Sequence, residues 1–199
     1  APSNKKIAGM VSLTAGNLGL VNPVVQLSAK GKSNQISFVG SHLGVKGFSA
    51  ADVANGENDG FGRNLLSFGW KKQFNKKLEW TSQVLWSNYK GNLDAGPFTD
   101  DKDYTSEAHA LSVHGQFKYH LSTSDFYLRL FRDYSSRRFL DDSTDVPANA
   151  YTSYYFSNYA GWSEGLEAFG KSEWKGAELV YGFEYRKQRA SQSDFYYGF

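Results

Sequence analysis

The chain has 199 residues, no cysteine, and 22 Lys and Arg set against 20 Asp and Glu for a net charge of +2. Those figures fit one sizeable domain and exclude a disulfide framework or a thiolate metal site. They also speak against a nucleic-acid binder, which gathers a basic excess on one face. Aromatic residues make up 17% of the chain at a mean hydropathy of −0.53. No run of about eighteen apolar residues occurs, so a transmembrane helix is excluded. A membrane barrel is not, because only its outward residues must be apolar and its mean hydropathy stays low.

Ala1-Pro2-Ser3-Asn4-Lys5-Lys6 lacks the apolar run of a secretory signal, which predicts either a processed chain or one that begins partway through a longer one. From Ile7 onward, period-two alternation dominates. It predicts nine strands, near 7–16, 22–31, 34–46, 63–74, 77–90, 107–120, 125–138, 152–171 and 176–190. Leu66, Phe68, Trp70 and Phe74 form one apolar face. Leu78, Trp80, Val84 and Trp86 alternate with Glu79, Thr81 and Gln83. In 108–119, Leu111, Val113, Phe117 and Tyr119 oppose Ser112, His114, Gln116 and Lys118. Phe126, Leu128 and Leu130 oppose Tyr127 and Arg129, and Leu179, Tyr181, Phe183 and Tyr185 oppose Glu178, Glu184 and Arg186. Most of these runs exceed the five or six residues usual in soluble sheets and meet the 9–11 that a tilted bilayer-spanning strand needs.

The connections alternate in length. Short turns sit at Gly31–Asn34, Phe74–Lys77, Leu121–Ser124 and Trp174–Gly176; between them lie long polar stretches at about Gly47–Gly62, Gly91–Ser106 and Phe139–Ala150. Outer-membrane barrels have this asymmetry, with short periplasmic turns and long extracellular loops. Trp70, Phe74, Trp80, Tyr119, Phe126 and Trp174 beside the short turns mark an interfacial girdle. The expected fold is therefore an all-β antiparallel transmembrane β-barrel in the bacterial outer membrane, with residues 1–199 as a single domain. Nine is an odd number for a barrel closed by one chain, and open edges in lipid are costly. The expectation is a portion of a larger barrel.

Four stretches carry a resemblance: Ile7–Leu13 as a first barrel strand, Asn58-Asp59-Gly60-Phe61 closing a long first loop, the aromatic strand–loop–strand series after it, and Tyr181-Gly182-Phe183-Glu184-Tyr185-Arg186-Lys187. Together they resemble the opening part of the barrel of a TonB-dependent outer-membrane receptor, the class of cobalamin and siderophore transporters. The resemblance implies uptake of a scarce nutrient (a metal chelate, a cobalamin or an oligosaccharide). It also implies contact with outer-membrane lipid and lipopolysaccharide, and coupling to TonB through a plug that has no counterpart here, in a barrel of about 22 strands. The alternative is a stand-alone small barrel, a passive porin or structural anchor, for which Phe199 is the cue. Against it, Asp194–Phe199 follows a Ser/Gln break and reads as loop.

No catalytic set is evident, so the chain is not expected to be an enzyme. His109 and His114 fall on opposite faces of one strand, and His114 and His120 share a face about 20 Å apart, which argues against chelation. Acidic residues gather in two loops: Asp52, Glu57 and Asp59, then Asp94, Asp100, Asp101 and Asp103. Hard cations such as Ca²⁺ take several such oxygens. The cobalamin receptor resemblance implies a calcium site in these loops and carries to Glu57 and Asp59 as metal ligands; ordinary solvation of loop carboxylates is the alternative. Phe98, Tyr104, Tyr151, Tyr154 and Tyr155 at the loop rim are candidates to grip a small ligand, or else an interfacial girdle. Arg129, Arg132, Arg137 and Arg138 are candidates to line the lumen or to bind lipopolysaccharide phosphates.

Overall fold

The computed structural model describes residues 6–49, 51, 56–96, 98–147 and 152–198. Nine strands form one sheet in chain order: β1 (Ile7–Ala15), β2 (Val21–Lys30), β3 (Asn34–Val45), β4 (Phe61–Gln73), β5 (Leu78–Asn92), β6 (Thr105–His120), β7 (Ser124–Asp141), β8 (Thr152–Trp174) and β9 (Ala177–Gly198). Every neighbouring pair is antiparallel. The sole helical element among the described residues is a single 3-10 turn, Asn17–Gly19. The strand count and most boundaries match the expectation from alternation.

The end of β9 does not. Residues 191–198, expected as loop, continue the strand and pair with Thr152–Ala160. The long β8 offers a full ladder of backbone partners there, and Phe195 and Tyr197 pack edge-on at 4.9 Å beside Tyr154. Ladder bonds and cross-strand aromatics outweigh the weak strand preference of the Ser/Gln run. Phe199 lies outside the described residues.

Because residues directly opposite one another share a face, the register sorts the side chains. On one face, Leu66, Trp86, Leu111, Tyr134 and Trp162 stand side by side from β4 to β8. Ile7, Leu13, Leu27, Ile36, Phe38, Phe68, Val113, Phe117, Leu128, Leu130, Phe183 and Tyr185 belong to the same face and are exposed. Gly115 lies under Trp80, where an added Cβ would run into the indole, so the small residue lets the large ring lie flat on the sheet.

The opposite face is polar and cross-linked. Arg129 Nη1 lies 2.8 Å from Glu167 Oε2, and its Nε and Nη2 donate to Gln116 Oε1 at 3.3 and 3.1 Å. Arg186 continues the row to Glu167 and Glu184. Nearer the short turns, Lys118 and His120 both reach Asp125, at 2.8 and 2.5 Å. His114 bonds Asp133 at 3.0 Å. His114 and His120 thus each have a carboxylate partner on β7, His42 bonds Asn64, and His109 lies on the other face, as the parity of the strand requires.

A single layer of this kind has no interior. Among the described residues one apolar side chain, Ala51, is buried, while more than thirty large hydrophobic residues are exposed. The strand order also puts the turns after β2, β4, β6 and β8 at one rim and the connections after β1, β3, β5 and β7 at the other. The three long loops thus share a rim, as alternating loop length predicted. β1 and β9 are the sheet's two edge strands.

Candidate metal site and ligand-facing rim

The buried polar side chains among the described residues lie toward the long-loop rim, and two of the four are acidic. Asp101, in the β5–β6 connection, is fully buried, as is Ser106 at the start of β6; Asp141, the last residue of β7, is 6% exposed. Asp101, Asp103 and Asp141 place carboxylate oxygens within 4.8 Å of one another. Local backbone geometry holds two of the three. Asp101 Oδ1 accepts from the amides of Asp103 and Tyr104 at 3.3 and 3.0 Å, an Asx turn. Asp103 Oδ2 accepts from the amides of Thr144 and Asp145 and from the Thr144 hydroxyl, at 3.0, 2.7 and 2.7 Å. These bonds tie the β5–β6 loop to the β7–β8 loop.

A second acidic group adjoins the first. Asp100 Oδ1 accepts from the amide of Glu57 at 3.0 Å, bridging the β3–β4 and β5–β6 loops. Burial and then the charges of Asp100, Asp59 and Asp94 push the Glu57 carboxyl upward. Asp94 is also raised, first by burial and then by the adjacent Asp59 carboxyl. For Asp101, burial, the Asp103 carboxyl and the charge of Asp141 push the pKa up to about 7. The ionised forms of these groups are therefore costly as they stand.

Several of the oxygens have no donor. Glu57 Oε1, Asp101 Oδ2 and Asp103 Oδ1 are buried and unpartnered, while the amides of Ala51 and Asp101 lie by the Asp94 carboxylate. Buried carboxylate oxygens without a donor cost free energy unless protonated or met by a cation. A hard divalent cation suits them, because Ca²⁺ takes six to eight oxygens at flexible geometry. Asp101, Asp103 and Asp141, with oxygens within 4.8 Å of one another, fit such an ion.

Of the predicted metal ligands, Glu57 and Asp59 both fall in this acidic region. Asp52 lies outside the described residues. Asp141 was missed, because it reaches the group only through the pairing of β7 with its neighbours. The predicted aromatic rim divides. Tyr104 and Tyr155 meet edge-to-face at 6.2 Å beside Asp101 and Asp141. Tyr154 instead joins Phe195 and Tyr197 on the apolar face. Phe98 is 67% exposed, and Tyr151 lies outside the described residues.

Below this rim, the polar face carries a concave basin of about 920 Å³. Small residues floor it (Ser87, Ala108, Ala110, Ser135, Gly161 and Ala190), and Arg63, Tyr89, Arg137, Tyr159 and Gln192 surround them. Of this set, sequence reading singled out Arg137 alone, as a candidate to line the lumen, though strand parity would have placed these residues on one face. Comparison with known proteins finds no family model and no curated protein that matches the chain.

Proposed function

We propose that this chain forms the opening part of the barrel of a TonB-dependent outer-membrane receptor, supplying wall, loops and part of the ligand surface for uptake of a scarce nutrient. The observation that carries the reading is the exposed apolar face of the sheet. A single-layer sheet in water would leave a hydrophobic area far larger than soluble surfaces tolerate. Lipid covers such a face, while the ion-paired face suits a wet lumen. The edge strands β1 and β9 then require pairing by further strands, since unpaired backbone groups in hydrocarbon cost several kcal/mol each.

In this reading the long loops face outside the cell. The acidic loops bind Ca²⁺, with Asp101, Asp103 and Asp141 close enough to share one ion and Glu57, Asp59 and Asp94 beside them; the ion's chemistry is structural: it neutralises carboxylates and fastens the β5–β6 loop to the end of β7. Tyr104 and Tyr155 stand beside it to meet ligand, and the basin bounded by Arg63 and Arg137 forms the wall along which ligand passes. The chain carries out no covalent chemistry.

The test is energised uptake. Cells producing the intact protein that carries this chain should take up cobalamin, a ferric chelate or an oligosaccharide only when TonB is active. Diffusive, TonB-independent passage would establish the passive porin instead. Recovery of the protein in the aqueous phase without detergent would defeat both.

A further inference from the structure

We propose that Arg132, Lys187 and Arg189 form a site on the lipid-facing side of the sheet for the phosphates of an outer-leaflet glycolipid of the lipopolysaccharide class, a site that presupposes the membrane reading above. On β7, β8 and β9 the apolar face rises from the turn rim as Phe126-Leu128-Leu130, Ala168-Leu166 and Tyr181-Phe183-Tyr185. It then changes character within two register rows. Arg132 stands opposite Glu164, which stands opposite Lys187; one row on, Trp162 stands opposite Arg189.

The charges in this patch do not balance. Arg132 Nε lies 3.8 Å from Glu164 Oε2 with 68% of its side chain exposed. Lys187 and Arg189 make no ion pair among the described residues. One carboxylate therefore faces three cations, and with Trp162 they line a cleft of about 190 Å³. Farther up the same face each cation is ion-paired, Lys90 and Arg138 both reaching Glu107 at 3.0 and 3.5 Å.

Position selects the ligand. Cations on a lipid-facing surface are costly unless their long stems carry the charge up to headgroup level and an anion meets it there. The patch ends the unbroken apolar rows that rise from the short turns, on the side of the long loops, which is the outer leaflet. The anions fixed at that level of the outer leaflet are lipopolysaccharide phosphates. Guanidinium groups bind phosphate oxygens in pairs. Trp162 and Tyr134, with ring centres 6.0 Å apart, are the amphipathic rings found at such a boundary.

Sucrose-gradient fractionation first scores membrane residence of the intact protein; its absence from the outer membrane would end the membrane reading itself. Native mass spectrometry in mild detergent then measures retention of diphosphorylated lipid A and, separately, of phosphatidylglycerol. Wild type should retain lipid A preferentially, and the triple variant Arg132→Gln/Lys187→Gln/Arg189→Gln should bind it roughly 10- to 100-fold more weakly. Arg137→Gln, a cation removed from the opposite face, should leave retention unchanged. Should the triple variant misfold, Lys187→Gln alone breaks no ion pair and should weaken binding several-fold. Unaltered lipid A retention in a folded Lys187→Gln or triple variant, or equal wild-type retention of phosphatidylglycerol, overturns the site.

Discussion

Asp101 shows how one residue can carry a loop's response to pH and to metal. Its carboxyl is pushed up to about 7 by burial, by Asp103 and by Asp141. Below about pH 4 an aspartic acid is protonated whether the chain is folded or not. Between there and about 7 the native state holds a proton that an exposed Asp would have released, so the stability of this loop arrangement falls as pH rises through that window. Protection of residues 98–104 against hydrogen exchange in the intact, calcium-free protein, taken relative to the base-catalysed rate of an unstructured amide, should fall from pH 5 to pH 8; protection that rises or stays flat would contradict the burial of ionised Asp101. Calcium should reverse the trend, because it binds the deprotonated form. At about a hundred times its dissociation constant it should add ~2.7 kcal/mol. Asp101→Asn should abolish most of that calcium-induced protection while steadying the calcium-free loops. Acidic loops pointed to this region in the sequence, and Glu57 and Asp59 fall within it. Asp141 was not legible, since nothing along the chain announces that the top of β7 meets a loop some forty residues earlier.

At the scale of the element, the strands were the most legible feature, because alternation on a two-faced sheet is a strong periodic signal. The end of β9 was not: Ser191-Gln192-Ser193 breaks the apolar rhythm, and only the extra length of β8 reveals that its ladder continues. The β8–β9 hairpin depends on a two-residue turn, Lys175 at φ 49° and Gly176 at φ +81°. Both are left-handed, the arrangement that matches the twist of the flanking strands. A Cβ at position 176 would meet nothing within 4 Å, so the cost of Gly176→Ala is conformational alone, about 1 kcal/mol. Lys175→Asn should recover a few tenths of a kcal/mol, since Asn tolerates this region better. Denaturant midpoints of the intact protein in lipid should shift in those opposite directions. A cost for Gly176→Ala well above that figure would mean that the turn packs against something else.

The whole molecule poses one question above the others, namely what covers the apolar face, and substitution depth can answer it. Leu128, Leu130 and Leu166 lie on that face below the cationic patch, whereas Ser135 lies on the polar face in the floor of the basin. If the face lies against lipid, an arginine at Leu128 should cost ~2–4 kcal/mol, falling toward zero for the same change nearer the boundary. Tyr134→Arg, one row beyond Arg132, should then be nearly neutral. Ser135→Arg, one residue away on the wet face, should be tolerated as well, because the basin is solvated and already bordered by Arg137. A soluble sheet covered by protein would give another pattern, with costs tracking local packing and no gradient along the strand. Unfolding titrations of the intact protein in bilayers measure each variant. Equal penalties at Leu128 and Tyr134 would mean that depth in a membrane is not what the alternation encodes. A gradient that steepens from Tyr134 down to Leu128 would locate the hydrocarbon boundary at the row where Arg132, Glu164 and Lys187 interrupt the apolar face.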